Sequence, residues 1–174
     1  AEDAAGNAQQ DYTPEAEFDL DTAAPAGYSV SVDQEAINAD NETAMSFTFS
    51  GAEVGADYAY SVDDESGTGP VSGSGTVSSS DETVGPIDVS SLSDETLTLT
   101  VYLTDPAGNQ GSDATDTVTK DTAAPSVTTV EVDTDPVYEG DLKQQVTVTY
   151  DEQMTTDGSA DPVISFSAGT WSSD

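Results

Sequence analysis

Two groups of oxygen-bearing side chains in this sequence could do chemistry. Asp3, Asn7, Asp19, Asp21, Asp105 and Asn109 form the first, and Asp40, Glu42, Asp121, Asp151 and Asp157 the second. Both gather around a repeated pentapeptide, Asp-Thr-Ala-Ala-Pro, which runs from Asp21 to Pro25 and again, at an offset of 100, from Asp121 to Pro125. A loop of the form Asp-x-Ala-Gly-Asn stands upstream of each copy, at Asp3 to Asn7 and at Asp105 to Asn109. Carboxylate, amide and main-chain carbonyl oxygens are hard ligands, and calcium takes about 6 to 8 of them at about 2.3–2.6 Å. The chemistry on offer is therefore cation binding. No segment has the EF-hand spacing, so this reading rests on the accumulation of acids at the repeated seam. The same residues have a plainer use: Asp-Pro-Ala-Gly-Asn is a tight turn in its own right, and Asp-Thr-Ala-Ala-Pro a stiff linker.

The overall charge narrows the partners. Thirty-five acids stand against two bases, Lys120 and Lys143, for a formal net charge of −33. Such a field repels nucleic acid and anionic membranes. There is no cysteine and no histidine, which removes thiolate metal sites and every Ser-His or Cys-His pairing. With almost no basic residue to stabilise a developing negative charge, the expectation is that the chain is not an enzyme. The acids are spread over every loop, unlike a glycosidase pair flanking a cleft. The Gly73-Ser-Gly75 string has no helix after it to make a phosphate cradle, and Asn41-Glu-Thr43 matches the glycosylation pattern at a frequency expected by chance. No long apolar run spans a membrane, and no signal peptide is present in the stretch given.

What positions the acids is a β framework. Tyr28, Val30 and Val32 alternate on one face, as do Met45, Phe47 and Phe49, then Tyr58, Tyr60 and Val62, then Leu97, Leu99, Val101 and Leu103, with serine and threonine between them. Val71 with Val77, Ile87 with Val89, and Val118 mark three weaker strands, and the stretches "GTGPVSGSG" and "SDETVGP" read as turns. Seven short strands without a helix predict an all-β, immunoglobulin-like antiparallel sandwich over residues 21–120. Residues 1–20 read as the closing hairpin and strand of a preceding repeat, with Tyr12, Phe18 and Leu20 on one face. Residues 121–174 read as the front part of a following one, carrying Val130 and Val132, Val146, Val148 and Tyr150, and Ile164, Phe166 and Trp171. The register of the whole is a tandem array.

The stretches "LTVYLTDPAGNQGSDATDTVTKDTAAP", "VTVTYDEQMTTDGSADPVISFSAGTW" and "DAAGNAQQDYTPEAEFDLDT" resemble tandem immunoglobulin-like extender repeats of giant type I-secreted bacterial surface adhesins, of the RTX- and Bap-like kind. That resemblance implies an extracellular, cell-surface stalk supporting adhesion or biofilm formation. It also implies calcium stiffening at the joints and neighbouring repeats of the same chain as partners. In a seven-strand sandwich the last turn lies at the entry end, so Asp105 to Asn109 should stand beside Asp21. The first inter-strand loop, Asn38 to Glu42, should stand beside Asp121. Two other readings remain open: a filament or surface-layer subunit completed by strand exchange between copies, and a glycan-binding module. The same acid enrichment also serves solvation at high salt.

Overall fold

In the computed structural model, residues 2–8, 20–67, 69–133 and 145–154 are described. The chain divides into two compact units, Ala1–Thr122 and Ala123–Asp174. In the first, seven strands form where the alternation is strongest: β1 (Ser29–Val32), β2 (Met45–Ser50), β3 (Asp57–Asp63), β4 (Val71–Thr76), β5 (Thr83–Ile87), β6 (Thr96–Thr104) and β7 (Ala114–Thr119). They pair antiparallel into a sheet of order β1-β2-β5 and a sheet of order β4-β3-β6-β7. This is the two-sheet architecture of an immunoglobulin-like sandwich, with the strand after β3 kept in the sheet of β3.

The core lies between the sheets. Met45, Phe47 and Phe49 of β2 face Val62 of β3 and Leu97, Leu99, Val101 and Leu103 of β6, all of them buried. Phe47 packs edge-on against Tyr60 with ring centroids 5.6 Å apart, and Phe49 leans on Tyr58 at 5.7 Å. Those tyrosines need room at the sheet edge, and glycine supplies it. A Cβ on Gly73 would sit 2.5 Å from the Tyr60 hydroxyl, and one on Gly75 the same distance from that of Tyr58.

One strand departs from the sequence reading. "SDETVGP" reads as a turn with Ile87 and Val89 beyond it, yet β5 runs through Thr83–Ile87 with Val84 and Ile87 inward. Proline can sit there because β5 is the last strand of its sheet, where one face of its backbone needs no partner. Val89 is buried from the loop that follows.

After β1 the chain crosses between the sheets. Ile37 makes a parallel bridge to Lys120 just past β7, through Ile37 N–H to Thr119 O at 2.9 Å and Asp121 N–H to Ile37 O at 2.9 Å. The second unit contains β8 (Val127–Val132) paired antiparallel with β9 (Val146–Tyr150). Val130 lies opposite Val148 and Val132 opposite Val146, as Val30 lies opposite Phe49 and Val32 opposite Phe47 in the first unit. Asp133 N–H bonds Gln145 O as Asp33 N–H bonds Ser46 O, each at 3.1 Å. Val130 is 62% exposed, whereas its counterpart Val30 is buried. Tyr12, Phe18, Ile164, Phe166 and Trp171 lie outside the described residues, and Leu20 is exposed.

Gly73→Ala is expected to displace the Tyr60 ring and cost about 1–3 kcal/mol, as overpacking does. Ser74→Ala on the opposite face of β4 should be close to neutral. Urea unfolding of the two variants separates these outcomes.

Candidate functional site

One turn meets the chain entering the sandwich. Asp105, at the end of β6, is 5% exposed. Its Oδ1 accepts the main-chain N–H of Asn109 at 2.8 Å, and its Oδ2 accepts the Asn109 side-chain amide, also at 2.8 Å. The turn closes through Asp105 N–H to Asn109 O at 3.1 Å and Gly108 N–H to Asp105 O at 3.0 Å. Gly108 takes φ +92°, the left-handed region that glycine occupies without a Cβ penalty. Asn109 then reaches the incoming linker: its Nδ2 donates to the carbonyl of Asp21 at 3.1 Å. Pro25 is buried, and a Cβ on Gly111 would stand 2.5 Å from its carbonyl oxygen. The Tyr28 hydroxyl accepts Leu103 N–H at 3.2 Å and donates to Ser112 O, tying the start of β1 to the same hairpin.

Asp3 to Asn7 repeats this turn. Asp3 Oδ1 accepts Asn7 N–H at 2.9 Å, Oδ2 accepts the Asn7 amide at 2.8 Å, and Gly6 has φ +84°. Asp3 N–H bonds Asn7 O and Gly6 N–H bonds Asp3 O, and the bridge Glu2–Ala8 answers Thr104–Gln110. In both copies the side-chain amide of the asparagine is the first cause that holds the aspartate below the usual carboxylate range, with its main-chain N–H adding to it.

The exit joint contains a cation of its own. Lys120, at the end of β7, is 3% exposed. Its ammonium donates to the carbonyls of Leu92 at 2.6 Å and Val89 at 3.2 Å, and stands 3.0 Å from Glu42 Oε2. This ion pair takes up a candidate ligand of the second group. Nearby, Thr122 of the linker donates its N–H and its hydroxyl to Asp94 Oδ2 at 3.1 and 2.8 Å, and the hydroxyl bond is the chief reason that Asp94 is held acidic. Asp40 is exposed in the turn that Asn38 and Asn41 close. Asp151 accepts Ser126 N–H at 2.7 Å within the second unit.

The structure therefore brings Asp105, Asn109 and the Asp21 carbonyl together, and Glu42 with Lys120. Asp3 and Asn7 meet in their own turn. Asp21 Oδ1 caps Ala23 N–H at 2.9 Å, and Asp121 enters through its main-chain N–H to Ile37. Asp19 and Asp157 lie outside the described residues. Among the described residues no group of three or more histidine, cysteine, aspartate or glutamate side chains is placed to hold a metal. One carboxylate with both oxygens already accepting, one amide oxygen and one carbonyl fall short of the 6 to 8 oxygens of calcium. These residues by themselves do not make a calcium shell.

Asp64, which the spacing did not single out, is the most buried acid among the described residues, at 1% exposed. It accepts Ser93 N–H at 2.6 Å, Ser66 N–H at 2.9 Å and the Ser66 hydroxyl at 2.7 Å, joining the end of β3 to the loop before β6. The Ser93 N–H is the first cause that holds its carboxyl far below the usual carboxylate range. No sequence signal marks it apart from its neighbour Asp63.

Lys120→Met should cost about 3 kcal/mol or more, the cost of stranding a carboxylate and carbonyls that lose their only cation. Glu42→Gln, which keeps an acceptor in place and is partly exposed, should cost less. Asp64 has a depressed folded-state pKa, so its contribution is complete above the unfolded value near 3.8 and is lost as pH falls below about 4. Melting temperature should fall with acid in that window, and the difference between the native chain and Asp64→Asn should shrink as it does.

No protein-family model matches the chain, and no curated protein does so. Among solved structures it is similar to a tetra-tandem repeat in the extending region of a large adhesion protein, with 25% sequence identity and a TM-score of 0.48. The match covers 66% of this chain and 29% of that one, so the chain spans under a third of the length of the protein it matches.

Proposed function

We propose that the chain is an extender segment of a secreted, surface-anchored repeat adhesin: one sandwich at residues 21–120, preceded by the end of one repeat and followed by the start of another. The observation that carries this reading is duplication of geometry rather than of sequence alone. The Asp3–Asn7 turn reproduces the Asp105–Asn109 turn bond for bond, and β8–β9 reproduces the register of β1–β2. Repeats of one structural unit along a chain are the mark of an array whose parts contact their neighbours. A spacer also fits the chemistry, since the chain has no histidine or cysteine and its buried acids are consumed in holding loops.

Within this reading, calcium stiffens the joints and the whole serves adhesion or biofilm formation outside the cell. The docking of the Asn109 amide onto the Asp21 carbonyl supports a stiff entry joint, with oxygens of Asp105 and Asp21 gathered on that amide. Calcium titration tests it. At a concentration a hundred times Kd, one site adds about 2.7 kcal/mol. Melting temperature and the maximum dimension in small-angle scattering should both rise with calcium and fall back with chelator. Sodium at equal ionic strength is the control. Equal responses to the two salts would leave screening of the −33 charge as the whole effect and remove calcium from the joints.

A further inference from the structure

A sandwich of two open sheets has four edges, and among the described residues three of them are protected. β1 and β7 close on each other: Val32 N–H is taken by Asp116 Oδ2 at 2.8 Å, an inward-turned acid on β7, and Ile37 bridges to Lys120 beyond. β5 carries Pro86, which has no N–H to offer, and its pairing with β2 is interrupted by a register shift between Met45 and Phe47. Proline, inward charge and bulges are the usual devices against stray strand pairing. β4 has none of them. It is six residues long, Val71–Thr76, pairs with β3 in unbroken register, and has no partner on its other side.

Its composition deepens the contrast. No charged residue occurs between Glu65 and Asp81, in a chain with thirty-five acids. Gly73 and Gly75 are required by the Tyr60 and Tyr58 rings. The exposed positions Ser72 and Ser74 are under no such packing demand, and a carboxylate there would blunt the edge at no cost to the core. Small, uncharged side chains instead leave the backbone donors and acceptors open. Acids stand at both ends of the strand: Asp57 lies opposite Thr76, and Asp63 follows the Val62–Val71 pair.

We propose that the free edge of β4 is a docking strand for an extended peptide of a partner protein, uncharged over the paired stretch and carrying lysine or arginine at its ends. Main-chain pairing along β4 supplies the contact, as in β-strand addition generally. The basic ends meet the acids that bracket the strand. A second copy of this chain is the poorer occupant, because it brings the same −33 field to the encounter. The inference is independent of the extender reading, since it concerns the side of one sandwich and not the joints.

The test is titration of the full, nitrogen-15-labelled chain with a capped peptide, Lys-Lys-Val-Thr-Val-Thr-Val-Lys-Lys, followed by amide shifts and hydrogen exchange. Amides of Val71–Thr76 are expected to shift and exchange more slowly, with binding that weakens as salt screens the ends. Ser74→Pro and the double variant Ser72→Glu with Ser74→Glu should each weaken binding by about tenfold. The double variant, changed only at exposed positions, should keep the native melting temperature. Shifts scattered over acidic loops without β4, or equal binding by a peptide with proline at alternate positions, would overturn the proposal. So would concentration-dependent dimers that the double variant abolishes, which would make a second copy the occupant.

Discussion

A carboxylate that must hold a fixed place needs a donor, and with two ammonium groups for thirty-five acids the donor can rarely be a cation. Main-chain N–H groups take that part here. Asp3, Asp64, Asp94, Asp105, Asp116, Asp133 and Asp151 each accept one or more of them. The exchange works in both directions: a loop N–H that would otherwise lack a partner is satisfied, and the charged form of the acid is favoured where it stands. The ammonium of Lys120 is placed where such a solution fails, at a point on which the carbonyls of Val89 and Leu92 and the Glu42 carboxylate converge. Oxygens facing oxygens repel, and a cation with three N–H donors can sit among them.

Because turns are closed locally by aspartate and asparagine, the alternation of apolar residues has only to set the strands. β2 and β6 were legible for that reason, since each carries an unbroken two-residue period that ends in a turn signal. β5 was not, because glycine and proline usually interrupt strands, and only its edge position makes them acceptable. The approach of the last turn to the entering linker was also legible, as a consequence of sandwich topology. The partner chemistry within it was not. Spacing shows which oxygens gather, but whether Asn109 offers its oxygen to an ion or its N–H groups to Asp105 and Asp21 depends on rotamers that folding decides. Lys120 was equally silent: a single lysine at a strand end ordinarily lies in water, and here the carbonyls of Val89 and Leu92 and the Glu42 carboxylate surround its ammonium.

The seams inherit the same physics. Each linker begins as part of the sandwich beside it: Asp21 and Pro25 are engaged by the last hairpin, and Asp121 and Thr122 by Ile37 and Asp94. Past Thr122, Ser126 is already paired to Asp151. The stretch between those anchors is short, and Pro125 fixes one of its φ angles and restrains the residue before it. The proline thus restrains the backbone of Ala124 and of its own residue.

That ordering bears on what calcium can do in such a chain. The buried acids Asp64 and Asp105 already have N–H partners, so the sandwich does not need a metal to offset their desolvation. Exposed acids such as Asp40 instead meet the net negative charge of the chain at a strength set by the medium. Ions of the medium screen that exposed charge and reach the buried acids far less. The hydrogen bonds that hold the buried acids are accordingly the part of the electrostatics least sensitive to the medium.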